Sequence, residues 1–361
     1  MLIESLDRAL GRLAAPGGRL LLAVSGGIDS TVLLHAVTGL APSHRLSVVV
    51  GHIHHGLRGD EADEDERWVA RLATDLGVEF CSLRVDPASL REGAASKRAR
   101  PTVQEAARRL RAAGLRRLAE QSGAERIATA HQLDDHVETI LMRLFRGTSP
   151  EGLAGIAEQS ADGRIIRPLL GISRSQIQDY AQRHDLKWRE DSSNRSLQYT
   201  RNRLREAWLP GLIREFNPQL LRAVARMAEA QKEDAEWMDS LVSAAWKEQI
   251  VETTSQEWFV LRSGWAGMPR ALARRLVVDL LKKAGGGREI SRRHIDRILV
   301  FFEGQRSGLP ARILELPEGL RIREEGEGFR LGRNQPLHAK PENSKSGHAI
   351  LRRTHGSSEP G

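Results

Sequence analysis

Residues 20 to 34 read Leu-Leu-Leu-Ala-Val-Ser-Gly-Gly-Ile-Asp-Ser-Thr-Val-Leu-Leu, and few folds accommodate such a stretch. The apolar run ending at Val24 predicts a buried parallel strand, and Val32, Leu33, Ala36 and Val37 resume with a helical period. Strand, glycine turn and helix start together aim backbone N–H groups and the positive end of a helix at an anion. Gly26 and Gly27 allow positive φ and close approach of the backbone to a phosphate. Ser25 and Ser30 add hydroxyl donors. Asp29 is the odd member, because a carboxylate repels phosphate unless a cation such as Mg²⁺ lies between them. Neither G-x-x-x-x-G-K-[ST] nor G-x-G-x-x-G is present.

The rest of the N-terminal half repeats the same alternation. Residues 1–15 form an amphipathic helix with Leu2, Leu6, Leu10 and Leu13 on one face. Strands are expected over 46–50, 78–85 and 126–130, the first being rich in β-branched residues. Between them lie an acidic helix over 60–76 and a helix opened by a Thr102/Glu105 capping box. Another helix is expected over 131–145. Strands alternating with helices indicate an α/β fold with a doubly wound parallel sheet, whose ligands sit beyond the carboxyl ends of the strands. The loops at 25–30, 52–58 and 131–138 all follow strands.

A connecting region spans 147–210, with a helix capped by Ser173 and Gln176. Pro218 marks the start of a long linker helix over about 217–250, with Leu220, Val224, Met227, Leu241, Trp246 and Ile250 on its apolar face. Further expectations are a strand over 258–262, helices over 269–283 and from Ser291, and two or three short strands over 311–331. The domains are thus expected at 1–215 and 216–332, the second mostly helical. The polar stretch 333–361 is expected to be disordered.

Two local clusters carry chemistry. In Thr129-Ala-His-Gln-Leu-Asp-Asp-His-Val-Glu138, a helix would put His131, Asp134, Asp135 and Glu138 on one face. Asp134 and Glu138 then repel by about 0.2–0.5 kcal/mol, which a helix N-terminus, Mg²⁺ or a substrate ammonium group would offset. His52, His54 and His55 do not make a zinc site, since His52 and His54 share one side of an extended segment and His55 does not. They read instead as a loop lining the nucleotide pocket, with Arg58 available for phosphate.

Net charge is +8 and the pI about 10.1, which suits a polyanionic partner such as nucleic acid. The single cysteine, Cys81, excludes an internal disulfide framework, a cysteine zinc site or an iron–sulfur cluster held by this chain alone. No apolar run reaches membrane-spanning length and no signal peptide precedes the first strand, so a soluble cytoplasmic protein is expected, with no membrane partner.

The SGG-x-D-S loop resembles that of the N-type ATP pyrophosphatases, which implies an adenine nucleotide alpha hydrolase-like, PP-loop fold. The ordered set SGGIDS, HIHHGLR, EAARRLR, TAHQLDDHVETILMRLFRG, RPLL and EDSSNRSLQYTRNRLR is similar to that of the tRNA(Ile)-lysidine synthases. The last block, Glu190 to Arg205, separates that family from other enzymes with this loop. The resemblance is strong over 20–215 and continues to about 332 through a helical domain resembling the family's tRNA-recognition domain.

The resemblance implies an enzyme using ATP and Mg²⁺ to adenylate the C2 oxygen of the wobble cytidine in the isoleucine tRNA with a CAU anticodon. Free L-lysine then displaces AMP to give lysidine. It implies that Ser25, Gly26, Gly27, Ile28, Ser30, His52 and Arg58 bind ATP and that Asp29 binds Mg²⁺. Asp134 would hold metal or the lysine ammonium group, with His131, Asp135 and Glu138 near the lysine and the reacting base. Arg108, Arg111, Arg201 and Arg205 would face the tRNA or the adenylate, and a homodimer is suggested.

Three departures stand out. His54 occupies a position where Asp or Asn is usual, and Ala112 one where an aromatic is common. The sequence also ends soon after the first C-terminal domain, which shifts expected recognition toward the anticodon stem and basic residues such as Arg288, Arg292 and Arg293. Two other readings are a tRNA thiolase, for which Cys81 alone is a poor candidate, and a basic RNA-binding module with an inactive nucleotide pocket.

Overall fold

The computed structural model describes residues 2–54, 56, 60–92, 101–190, 200–254, 257–265, 267–286, 289–304 and 311–333. The expectations for His55, Arg58, Arg288, the part of the Glu190–Arg205 block at 191–199 and the stretch 334–361 fall outside the described residues. The chain divides into two compact units, Met1–Glu236 and Trp237–Gly361.

The first unit runs α1 (Leu2–Leu13), β1 (Arg19–Ala23), α2 (Ile28–Leu40), β2 (Ser47–His54), α3 (Asp60–Asp75), β3 (Glu79–Arg84), α4 (Pro87–Glu92), α5 (Val103–Ser122), β4 (Arg126–Ala128), α6 (Leu133–Phe145), β5 (Ile165–Ile166), α7 (Arg174–Arg183), α8 (Thr200–Arg203) and α9 (Leu209–Glu215). A helix, α10 (Leu220–Gln249), then crosses the division. The sheet is parallel in the order β3-β2-β1-β4-β5. The alternation of side chains along β1 sorts them between two cores. Leu20 and Leu22 face a large core built with α1, α2, α3 and α7, while Leu21 faces a smaller one against α5. Each fully buried leucine contributes about 1.5–3 kcal/mol, so β1 is the anchor of the unit. Gly51 in β2 is demanded by this packing, since a Cβ there would sit 2.6 Å from Leu21 Cδ2.

Several boundaries differ from those the sequence suggests. Strand β2 continues through His54 rather than ending at Val50, so both histidines lie in the sheet and are buried. Helix α6 begins at Leu133, capped by Gln132, which leaves His131 ahead of the helix. β5 is an unanticipated two-residue strand that pairs with Ile127 and Ala128. Pro218 sits in a turn two residues before α10, and Met227 is 43% exposed, off the buried face that Ala228 occupies.

The second unit holds the end of α10, β6 (Ile250–Thr254), β7 (Glu257–Leu261), α11 (Arg270–Lys283), α12 (Arg292–Glu303), β8 (Ile313–Glu315), β9 (Leu320–Glu325) and β10 (Gly328–Arg333). Its helices pack on an antiparallel sheet in the order β6-β7-β10-β9-β8, with Trp258, Trp265, Phe302 and Phe329 in the core. Strand β6 was not visible in the sequence because four of its five residues, Val251 to Thr254, are exposed. Among the described residues no helix is long and apolar enough to cross a membrane.

Candidate active site

The carboxyl ends of β1, β2 and β4 carry the groups that matter. After β1, Gly26 adopts φ +91°, a conformation that costs a side-chain-bearing residue about 1–2 kcal/mol. Gly27 caps α2. Ser30 is buried, and its hydroxyl donates to the Gly27 carbonyl at 2.9 Å and accepts from the Ser25 N–H at 3.2 Å. Ser25 Oγ lies 3.3 Å from Ser30 Oγ. Thr31 N–H also donates to the Gly27 carbonyl, and the Gly26 carbonyl accepts from the Arg189 N–H at 3.0 Å. The loop is therefore fixed by its own hydroxyls and by a residue from beyond α7. Ile28 opens α2 and packs on the larger core.

Asp29 and Gln132 each leave a buried polar atom of this region, Oδ1 and Nε2, without a hydrogen-bond partner among the described residues. Burial first, then the negative charges of Asp135 and Asp134, push the Asp29 carboxyl up to about 6 against the opposing pull of Arg174 and Arg205. A cation is what this carboxylate lacks. Asp29 and Asp134 offer the hard oxygen donors that suit Mg²⁺, and the residues present fit such an ion.

At the end of β4 the chain turns through His131 into α6. Thr129 Oγ1 lies 3.0 Å from His131 Nδ1. Burial, with the charges of Arg167, Arg201 and Arg108, lowers the His131 pKa to about 4 despite nearby Asp135, so the ring is neutral at physiological pH. Gln132 is fully buried. Its Oε1 accepts from the Asp134 N–H at 2.6 Å, and its own N–H donates to Asp135 Oδ2 at 3.3 Å. Asp134 Oδ2 accepts from the Arg174 N–H at the start of α7, 2.9 Å away, and burial raises its carboxyl pKa.

Glu138, one turn further along α6, has no exposed surface. Arg205 Nε donates to its Oε1 at 2.6 Å and Arg201 Nε to its Oε2 at 2.7 Å. Arg205 also reaches Asp135 Oδ1 at 2.9 Å. Arg201 turns inward at α8, and Arg205 sits in a π-helical stretch, Leu204–Trp208. Such stretches recur at functional sites because the wider turn re-aims side chains. Burial opposes the Arg205 charge, but Glu138 and Asp135 hold its pKa above the ordinary value.

The structure thus brings Ser25 to Ser30 near Asp134 and Asp135, joined to Glu138, Arg201 and Arg205. His52 is buried behind the loop, its Nδ1–H donating to the Val24 carbonyl at 2.8 Å. Burial lowers its pKa, so it is neutral with Nε2 as the acceptor. His54 accounts for its own departure: Nε2 bonds Asp63 Oδ1 at 2.9 Å and Nδ1 accepts from the Gly56 N–H at 3.2 Å. His54, Asp63 and Glu66 offer clustered ligand atoms, but Arg84 pairs with Asp63 and Ser82 with Glu66, so cations and donors already satisfy them. Arg108 is exposed on α5 and contributes field at His131, and Arg111 is exposed on the same helix.

Four further residues of the site went unnoticed in the sequence. Gln132 was findable, since Asp135 three residues later completes a capping box. Arg174, Arg189 and Arg167 act through backbone N–H groups or at a distance, and no spacing rule announces them.

Residues 3–212 match the family model described as a PP-loop domain. Over 333 residues the chain is 35% identical to a tRNA(Ile)-lysidine synthase of Solibacter usitatus, covering 91% of this chain and 70% of that protein. The chain belongs to the PP-loop tRNA(Ile)-lysidine synthase family. Identity to the Symbiobacterium thermophilum protein of that name is also 35%, over 89% of this chain and 66% of that one. The chain spans about two thirds of the length of these curated relatives. Among solved structures, the U34-tRNA thiolase NcsA of Methanococcus maripaludis with its [4Fe-4S] cluster aligns at TM-score 0.52 and 18% identity, covering 64% of this chain and 78% of that chain. At that identity the match speaks to the fold alone.

Proposed function

We propose that the chain ligates free L-lysine to C2 of the wobble cytidine of the isoleucine tRNA bearing a CAU anticodon, consuming ATP and releasing pyrophosphate and AMP. One observation carries this reading: a glycine turn between β1 and α2 holding a buried Asp29 oxygen that has no partner among the described residues, within electrostatic reach of Asp134 and Asp135, in a chain of this family. In the first step the cytidine C2 oxygen attacks the α-phosphorus of ATP and pyrophosphate leaves. In the second the lysine ε-amine attacks C2, AMP leaves, and a proton is released from nitrogen.

The loop N–H groups and the hydroxyls of Ser25 and Ser30 would bind and orient the leaving pyrophosphate, with His52 bracing the loop from behind. Asp29 and Asp134 would hold Mg²⁺, which when bound supplies charge neutralisation for the polyphosphate. Asp135 and Glu138 are the carboxylates suited to a lysine ammonium group, which would compete with the arginines for them. The departing proton goes to a carboxylate of this cluster rather than to His131. Burial makes the His131 ring less basic than an ordinary imidazole, and general-base efficiency follows basicity; Asp29 and Asp134, which would hold Mg²⁺, are not the base. Arg201 and Arg205, released from the carboxylates, would carry positive charge toward the adenylate or the tRNA, as would Arg108 and Arg111. The recognition role is assigned to residues 216–332.

A thiolase reading is not favoured. Cys81 donates its S–H to the Val50 carbonyl within the sheet, and burial raises its pKa, the opposite of a reactive thiolate. The test is incubation with ATP, Mg²⁺, labelled lysine and transcripts of the CAU-anticodon isoleucine tRNA. Label enters RNA and AMP forms only with lysine present and cytidine at the wobble position. AMP formation indifferent to either would refute the assignment.

A further inference from the structure

A cavity of about 440 Å³ opens on the first unit beside, but separate from, the acidic cluster. Glu4, Ser5 and Arg8 of α1 form one wall, and Arg222, Ala225 and Arg226 of α10 the other. The floor is Leu133, Gly171 and Gln176. Leu133 immediately precedes Asp134, and Gly171 lies three residues before Arg174, whose N–H binds Asp134. The same two backbone segments therefore contribute both to the acidic cluster and to the lining of this cavity.

The chemistry of the lining selects an anion. Three arginines and one carboxylate line the cavity. Among the described residues no carboxylate lies within ion-pair distance of Arg8, Arg222 or Arg226, and Arg222 reaches only the neutral Gln219 Oε1, at 3.5 Å. Arg222 and Arg226 stand one helical turn apart, so their side chains rise side by side. Gln176 accepts from the Ser173 N–H at 3.0 Å and its hydroxyl at 3.1 Å through the same oxygen, which leaves its NH₂ group to donate. The Leu133 N–H is already committed to the Ile172 carbonyl, so the floor adds shape rather than donors.

We infer that this cavity is a docking subsite for the phosphodiester backbone of the substrate RNA, close to the nucleotide being modified. The inference rests on the tRNA-ligase reading for the identity of the RNA but not for the binding itself. Single guanidinium charges carried on two different helices, α1 and α10, with Glu4 among them, suit successive singly charged phosphodiesters better than one compact, multiply charged anion. Charge pairing fixes the strand's position without reading its sequence. The site would hold the backbone while base-specific selection happens at the acidic cluster.

The test uses the full chain and an unmodified CAU-anticodon tRNA transcript, without ATP or lysine, so binding is read apart from turnover. Fluorescence anisotropy gives Kd between 0.05 and 0.3 M KCl, as orders of magnitude typical for such titrations. In Arg8→Gln/Arg222→Gln/Arg226→Gln, three lost contacts at ~0.7 each reduce the slope of log K against log salt by about 2. Referred to 1 M salt, where the electrostatic part vanishes, that is about 100-fold weaker binding at 0.1 M. The triple Arg→Lys variant keeps most of the slope, and nucleotide binding is retained by both variants, which reports an intact fold. Should the triple Gln variant fail to fold, Arg226→Gln alone loses ~0.7 of slope.

Unchanged RNA affinity and slope in a folded variant overturn the inference. So does inorganic phosphate or pyrophosphate binding that depends on these arginines while RNA binding does not, since the occupant is then a free anion. A wild-type protein that binds RNA through the cavity yet makes no lysidine refutes the assigned reaction and leaves the subsite standing. Lysidine formation with RNA binding indifferent to the arginines does the reverse.

Discussion

Replacing Asp29 by Asn should make the protein more stable and inactive at once. The carboxyl is moved from its ordinary 3.8 to about 6, chiefly by burial, and its Oδ1 finds no donor among the described residues. At 1.36 kcal/mol per pK unit, keeping Asp29 ionised in the folded state costs about 3 kcal/mol. The sign follows from proton counts. Between pH 3.8 and 6 the folded chain binds more protons at this site than the unfolded chain, so stability falls as pH rises through that window. Above pH 6 the full cost is present, at pH 5 about half of it, and below 3.8 almost none. Asparagine keeps the shape and removes the charge. Asp29→Asn should therefore exceed the wild type by about 3 kcal/mol at pH 8 and about 1.6 kcal/mol at pH 5. For a unit of this size that is roughly 6–12 °C in Tm at pH 8. The measurement is thermal unfolding in EDTA at both pH values, followed on the first transition, with AMP formation assayed in parallel. A variant no more stable than wild type at pH 8, or one whose advantage grows on acidification, would refute the reasoning. So would retained turnover.

Three further outcomes are expected. Arg205→Ala should destabilise the protein by about 3 kcal/mol, because it strips two of three arginine bonds from a carboxylate with no solvent access. Arg201→Ala, at a side chain 40% exposed and making one bond to Glu138, should cost about 1 kcal/mol, and chemical denaturation that ranks the two the other way would contradict this. Gly26→Ala should lose about 1–2 kcal/mol to its positive φ. The added methyl meets Val69 and Trp68 only at ordinary contact distances of 3.5 and 3.6 Å, so weakened nucleotide binding in calorimetry would report the backbone and not a clash. The His131 ring, held near pKa 4, should show no titration by NMR between pH 5.5 and 8, and a midpoint near 6.5 would mean it is not buried as described.

Much of the fold was legible because its cues are local. The apolar run at Leu20 to Val24, the Thr102/Glu105 box and the Ser173/Gln176 box each specify their element from a few neighbouring residues, and each formed where expected. β5 was hidden because two isoleucines make a strand only when β4 lies beside them, and β6 because its outward face is polar. At the site, residue types and chain order exposed Asp29, Asp134, Asp135 and Glu138. What they could not expose is pairing across sequence distance: Arg205 lies 67 residues from the carboxylate it neutralises. His131 was placed on the helix because a periodic pattern does not show where the first turn closes, and that depends on Gln132 capping it.

The turn after β1 keeps a buried carboxylate oxygen, on Asp29, that has no hydrogen-bond partner among the described residues. Any ligand that prefers the folded chain adds RT ln(1 + [L]/Kd) to its stability, and a cation settling beside this carboxylate would do so. Under the proposed function, the level of nucleotide or Mg²⁺ would thus set part of the folded population by mass action.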